Sequence, residues 1–304
     1  MLKKYTNNSI TWIDAENPTP EEIHDLMEQY DINPDVAREL QLPTYKEKVL
    51  LSKDYLYMVL HFPSIRHTHS HNSSEQEIDF IVGRDFIITT RYEHIDALER
   101  FAKTFEMNNI LQNGLMKDDA GYVLYYLVKE LYKAMSDEVD SINDILKEIE
   151  RNIFKGMEKE MVTEISHVNK DLINFNNIIL THEVISSLIS SGGKLFDKNF
   201  TENFAKILNE YHRIIKVLKN SIDFLRELRS TNDSLLSAKQ NETMKVLTVF
   251  AFITIPFSII TGYFQMNIEH IPFSQFHYTW FVVIGIEIVV SLSLFIFAKL
   301  KKWI

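Results

Sequence analysis

The sequence predicts an α/β cytosolic domain, then long helices, then two C-terminal transmembrane helices. Three observations predict it. Residues 246–264 carry no charged side chain, about the ~20 residues an α-helix needs to cross the hydrocarbon core of a bilayer. A second uncharged run, 278–298, is broken only by Glu287 and closes on Lys299, Lys301, Lys302 and Trp303. Everything before Lys245 is acidic and soluble in character, with β-patterned runs first and long 3.6-period stretches after them.

Composition narrows the function classes. At 304 residues the chain has room for one or two domains, and its 45% hydrophobic content is concentrated at the C-terminus. A formal net charge of −10 argues against nucleic acid as a partner and suits a protein that gathers cations. There is no cysteine, hence no disulfide framework and no thiolate metal site. The opening MLKKYTNNSITW lacks the apolar stretch of a signal peptide, so the first domain is expected in the cytoplasm.

Residues 1–115 read as the α/β domain. A short strand is expected at 10–13. A helix follows, with Thr19 as N-cap, Pro20 in its first turn and Glu22 three residues after the cap. Pro34 opens a second helix through Leu40. Strands are expected at 49–52, 55–61, 77–82 and 86–90, the last two joined by a hairpin at Gly83-Arg84-Asp85. The polar loop 63–74 holds His67, His69 and His71. Alternating imidazoles are zinc or nickel ligands, and the alternative is a solvated loop; both stay open. No dinucleotide or phosphate-loop motif is present.

Residues 116–198 read as a long antiparallel helical pair. Leu124, Leu127, Val128, Leu131, Met135, Val139, Ile142, Leu146 and Ile149 recur at threes and fours. Gly156 permits the turn, and a second helix is expected over 158–189, ended by Gly192-Gly193. The acids Asp137, Glu138, Asp140, Asp144, Glu148 and Glu150 read as a solvated face. A stalk helix occupies 199–243 and runs on without a break into the first span, 244–265. Over 201–263 a single helix would be roughly 95 Å long at ~1.5 Å per residue, and needs partners. Pro256 is a packing accommodation or a hinge. The loop 266–278, the second span 279–298 and a basic tail 299–304 complete the chain.

The first span carries a polar stripe. Asn241, Met244, Thr248, Ala251, Ile255, Ser258, Gly262 and Gln265 fall on one helical face, most of them small or polar. Two readings stand: close packing of membrane helices through small residues, or the lining of a water-filled pore in a ring of identical helices. Met244 and Leu247 would give an apolar constriction at its inner end. Glu287, near the middle of the second span, is costly there and so a functional candidate. A hydrogen bond to Thr254 or Ser258 and a proton-coupling or ion role are both open. Two spans place both ends on one side. Lys239, Lys245, Lys299, Lys301 and Lys302 flank them there, and the loop 266–278 has no Lys or Arg, which puts both termini in the cytoplasm.

The run Asn241-Glu242-Thr243-Met244-Lys245-Val246-Leu247-Thr248, then Ile255-Pro256, then Thr261-Gly262-Tyr263-Phe264-Gln265-Met266-Asn267 resembles the first membrane helix of the CorA family of divalent-cation channels. The Lys-Lys-Trp ending resembles that family's tail. Trp12-Ile13-Asp14 with Asn17-Pro18-Thr19-Pro20-Glu21-Glu22 resembles its opening, and the strands at 55–61 and 86–90 follow in order. The family's Gly-Met-Asn signature reads Gln265-Met266-Asn267 here. The resemblance implies a funnel-shaped homopentamer with a central pore in the inner membrane, passing Mg²⁺, with Co²⁺ and Ni²⁺ beside it. Asn267, Met266 and Gln265 would form the outer mouth. It also implies Mg²⁺ as regulator as well as substrate, held by stalk acids, for which Asp223, Glu227 and Asp233 are the candidates by type. The partners are divalent cations, the lipid membrane and further copies of the chain. No tightly bound cofactor and no enzymatic activity are expected. The alternatives are zinc transport coupled to protons, as in the ZntB-like branch, and a membrane-anchored sensor or scaffold that does not conduct.

Overall fold

The structure is a computed structural model. It describes residues 2–7, 9–44, 46–63, 75–111, 119–196, 198–266 and 278–301, with backbone alone at 108–111, 198 and 279. The chain divides into two compact units, Met1–Gly156 with Glu160–Leu228, and Met157–Lys159 with Arg229–Ile304.

The first unit is built on a six-stranded sheet, β1 (Leu2–Asn7), β2 (Ile10–Glu16), β3 (Lys48–Leu51), β4 (Leu56–Pro63), β5 (Glu75–Val82) and β6 (Phe86–Arg91). Its order is β1-β2-β6-β5-β4-β3. Only β2 and β6 run parallel. The expected hairpin joins β5 to β6, with Gly83 N bonded to Phe86 O at 3.0 Å. One face meets α1 (Pro20–Tyr30) and α2 (Pro34–Glu39), which close over Ile13, Tyr57, Val59, Ile81 and Ile88. The Thr19 capping box forms as expected, with Glu22 N to Thr19 Oγ1 at 3.2 Å and Thr19 N to a Glu22 carboxylate oxygen at 2.9 Å. The other face carries Trp12, whose Nε1 donates to Thr89 Oγ1 at 3.0 Å and whose ring packs on Phe101 and Phe105 of α3 (Asp96–Leu111). Strand β1 and helix α3 add to the expected elements. β1 alternates weakly and never fully buries, while α3 carries a helical signal, with Leu98, Phe101, Ala102 and Phe105 buried at threes and fours.

The strand β4 is buried over its whole length. Its inner face ends in a polar network. His61 lies between Glu47, at 2.8 Å from Nδ1, and Glu77, at 3.4 Å from Nε2. Glu77 also accepts from the Thr44 N–H and hydroxyl, which fastens the segment before β3 to the sheet. Asp79, opposite Val59 and Thr90 in the ladder, accepts from Thr90 at 2.8 Å and Tyr57 at 3.2 Å. Burial, then the charge of Glu77, pushes Asp79 up to about 7. Burial opposes a charge on His61, but the bond to Glu77 and the charges of Glu47 and Glu77 outweigh it and raise the imidazole to about 9.

Helix α4 (Ala120–Phe154) starts on an Asp119 side-chain cap. Its expected apolar stripe is buried from Val123 to Ile153. Of its acids, Glu138 is buried rather than on the solvated face. Gly156 makes the turn at φ 90°. The second helix is not one piece as expected: α5 (Glu158–Thr181) stops, and α6 (Val184–Leu195) begins after a break at His182-Glu183. The break is set by His182. It is fully buried, and it donates Nε2–H to the His61 carbonyl at 2.6 Å while its Nδ1 accepts from Tyr132 at 2.7 Å. Gly192-Gly193 does not end the helix. A Cβ at Gly192 would stand 2.1 Å from the Phe200 ring, so the glycine serves close packing.

Helix α7 (Lys198–Gln265) is continuous for 68 residues, through Pro256. Within the first unit it runs parallel to α4 in a fixed register. Arg213 bonds Ser136 and Ser221 Oγ donates to Asn143, pairs 77 and 78 residues apart. The second unit adds α8 (Thr279–Leu300). It and α7 are the helices long and apolar enough to cross a membrane among the described residues.

Candidate functional site

In the span of α7, burial sorts the residues by face. Val249 is buried, and Ile253, Pro256, Phe257, Ile260 and Phe264 are half-buried. These recur at threes and fours, so they form one stripe. Asn241, Met244, Leu247, Thr248, Ala251, Ile255, Ser258, Gly262 and Gln265 are all exposed. At roughly 100° per residue they lie on the opposite side of the helix. The stripe read from the sequence is thus the face the chain leaves uncovered, Ile255 being 57% exposed. Apolar exposure of this extent needs lipid or another protein copy.

The hydroxyls behave unequally. Thr248 Oγ1 donates to the Met244 carbonyl at 2.7 Å, Ser293 does the same to Val289, and Thr254 turns to the Phe250 carbonyl. A helical Thr or Ser ordinarily bonds this way, to the carbonyl four residues back. Thr261 instead donates across to Glu287 Oε1 of α8 at 2.6 Å. The expected partners of Glu287, Thr254 and Ser258, are corrected by this. Thr254 has its hydroxyl on its own helix, and Thr261 lies on the flank nearer the half-buried stripe. The two residues are 26 apart in sequence, and only the alignment of α7 with α8 reveals the pair.

The stalk acids are spread out. Asp223 pairs with Arg226 at 2.8 Å, both largely exposed, and Glu227 and Asp233 are exposed. Among the described residues no group of three or more His, Asp or Glu side chains is placed to hold a metal ion. Nearer the span, Glu158 bonds Lys239 of α7, which holds its carboxyl below the usual range. Asn232, fully buried on α7, has neither amide atom hydrogen-bonded among the described residues. Met266 is exposed, while Asn267, the histidines His67, His69 and His71, and Lys302 and Trp303 lie outside the described residues.

Known proteins share this fold. The family described as CorA-like Mg²⁺ transporter protein matches residues 7–302. The cobalt/magnesium transport protein CorA of Thermotoga maritima is 24% identical over 91% of this chain and 78% of its own. The complete structure of the CorA magnesium transporter from Methanocaldococcus jannaschii superposes with a TM-score of 0.83 at 20% identity, covering 97% of this chain and 92% of that one. The ZntB cytoplasmic domain from Vibrio parahaemolyticus matches at TM-score 0.63 and 15% identity, covering 77% and 90%.

Proposed function

The chain belongs to the family of CorA-like Mg²⁺ transporter proteins, and from that premise we propose that it passes divalent cations, Mg²⁺ first and Co²⁺ beside it, across the inner membrane. The uncovered polar face of α7, opposite its packed stripe, is the observation that carries the reading. Five copies around an axis would turn that face inward and make a closed pore of it.

Mg²⁺ gives up its waters reluctantly and demands octahedral oxygen geometry. A path for it offers polar oxygens to those waters. Asn267 and Gln265 at the outer mouth, then Ser258, Thr248 and Asn241, supply such groups along the seam, with Met266 beside them. Gly262 and Ala251 keep the bore wide between them. Met244 and Leu247, both more than half exposed, form the apolar constriction that gates by dewetting. The membrane potential drives entry with about 2.3 kcal/mol per charge per 100 mV, hence about twice that for a divalent ion. Lys239, Lys245, Lys299 and Lys301 flank the two spans, and the positive-inside rule supports a cytoplasmic side for both termini. Asp223, Glu227 and Asp233, exposed on each stalk, are candidates to bind regulatory Mg²⁺ between copies.

Flux of Mg²⁺, Co²⁺, Ni²⁺ and Zn²⁺ into liposomes holding the full chain tests this. Mg²⁺ entry that Asn267→Ala abolishes is the expected result. Zn²⁺ entry driven by a proton gradient would move the protein to the zinc-transporting branch. No flux from an intact oligomer would leave a sensor or scaffold.

A further inference from the structure

We propose that Thr261 and Glu287 form an interhelical clamp that sets the rotation of the outer part of the pore helix, and with it which residues face the ion path. The inference rests on the pore reading above and names the device that orients that pore.

A carboxyl in hydrocarbon is costly and persists where it is bonded. Glu287 sits near the middle of α8, and Thr261 Oγ1 reaches it at 2.6 Å. To do so Thr261 departs from the pattern of Thr248, Thr254 and Ser293, which bond their own helix. The hydroxyl is therefore committed to the neighbouring helix at a point where a local acceptor was available.

The position of the clamp matters more than its strength. Pro256 lacks an N–H, so one rung of the α7 ladder is absent five residues before Thr261. The segment beyond it, through Gln265, is held less firmly to the rest of the helix. Its half-buried side chains on the packed side are Phe257, Ile260 and Phe264, whose apolar burial is non-directional. Gly262 fixes nothing, since a Cβ placed there would meet no atom within 4 Å. Thr261 lies on the flank between the packed stripe and the uncovered seam. A directional bond on the flank resists rotation about the helix axis, as a bond at the middle of the contact would not. Held there, Gly262 and Gln265 face away from α8. Rotation by one residue position, roughly 100°, would bring Phe264 to the direction Gln265 holds. Glu287 is accordingly a positioning residue, acting on the ion path through Thr261.

The chain has no cysteine, so single cysteines report orientation directly. In the full chain reconstituted in liposomes, Gln265→Cys and Phe264→Cys are each reacted with a charged, water-soluble methanethiosulfonate. The pore reading requires position 265 to react faster than 264. In the Thr261→Val and Glu287→Leu backgrounds that preference is expected to fall about three- to tenfold, the size of one interhelical hydrogen bond in a membrane. The double change should fall no further than either single one, and Thr261→Ser should restore it. Size-exclusion elution verifies that each variant still assembles. An unchanged preference in assembled Thr261→Val and Glu287→Leu overturns the clamp and leaves the pore standing. A parent in which 265 reacts no faster than 264 overturns the pore, and the clamp falls with it.

Discussion

His182 donates its Nε2–H to the main-chain carbonyl of His61 at 2.6 Å, joining the break between α5 and α6 to strand β4 of the sheet. The two rings lie in opposite electrostatic settings. His61 has carboxylates on both nitrogens, whereas His182 is fully buried and bonds a tyrosine hydroxyl and a main-chain carbonyl. Burial therefore lowers His182 to about 4, and His61 stands at about 9.

The first prediction concerns acid. His182 is depressed in the folded chain relative to an ordinary value near 6.5. Its contribution is present in full above that ordinary value and is lost as pH falls from about 6.5 toward 4, by roughly 3 kcal/mol. Thermal midpoints of the full chain in detergent should drop over that window. His182→Gln, which keeps a donor for the His61 carbonyl, should flatten the drop. An equal slope in both proteins would remove His182 from the account.

Asp79 runs the other way. Its carboxyl is raised to about 7 in the folded state, so ionising it costs the fold stability as pH rises from about 4 to 7, of order 4 kcal/mol. Asp79→Asn removes that cost and gives up part of the bonding to Thr90 and Tyr57. The midpoint of the variant minus that of the parent should therefore grow from pH 5 to pH 8. A difference that stays level across this range would show that Asp79 does not titrate there.

Asn232 is fully buried on α7 and neither amide atom is bonded among the described residues. An unsatisfied buried polar group costs about 1–3 kcal/mol. Asn232→Leu should raise the denaturation midpoint accordingly. A lower midpoint would mean that the amide finds a partner in the assembled protein.

In the proposed pore Leu247 lies in the apolar constriction at the inner mouth. Leu247→Ser makes that ring wettable, so Mg²⁺ leak into liposomes at zero added regulator should increase about tenfold or more. Unchanged leak, with assembly intact, would place the barrier elsewhere along the seam.

Much of this protein is legible from the sequence because the governing constraints are local. A bilayer demands an apolar run of about 20 residues, and two are plain, 246–264 with no charged residue and 278–298 with Glu287 alone. The period of one helix suffices to place Ser258, Gly262 and Gln265 on one face, and the structure leaves that face uncovered. The capping box at Thr19 and the turn at Gly156 are settled by neighbours a few residues away. What the sequence left open depends on partners far apart along the chain. Thr261 and Glu287 are 26 residues apart, and His182 and His61 are 121 apart. No periodicity connects such pairs. Which residue bonds Glu287, and where the helix after Gly156 breaks, follow from how the helices pack, because a buried polar group takes the donor or acceptor that packing puts within reach.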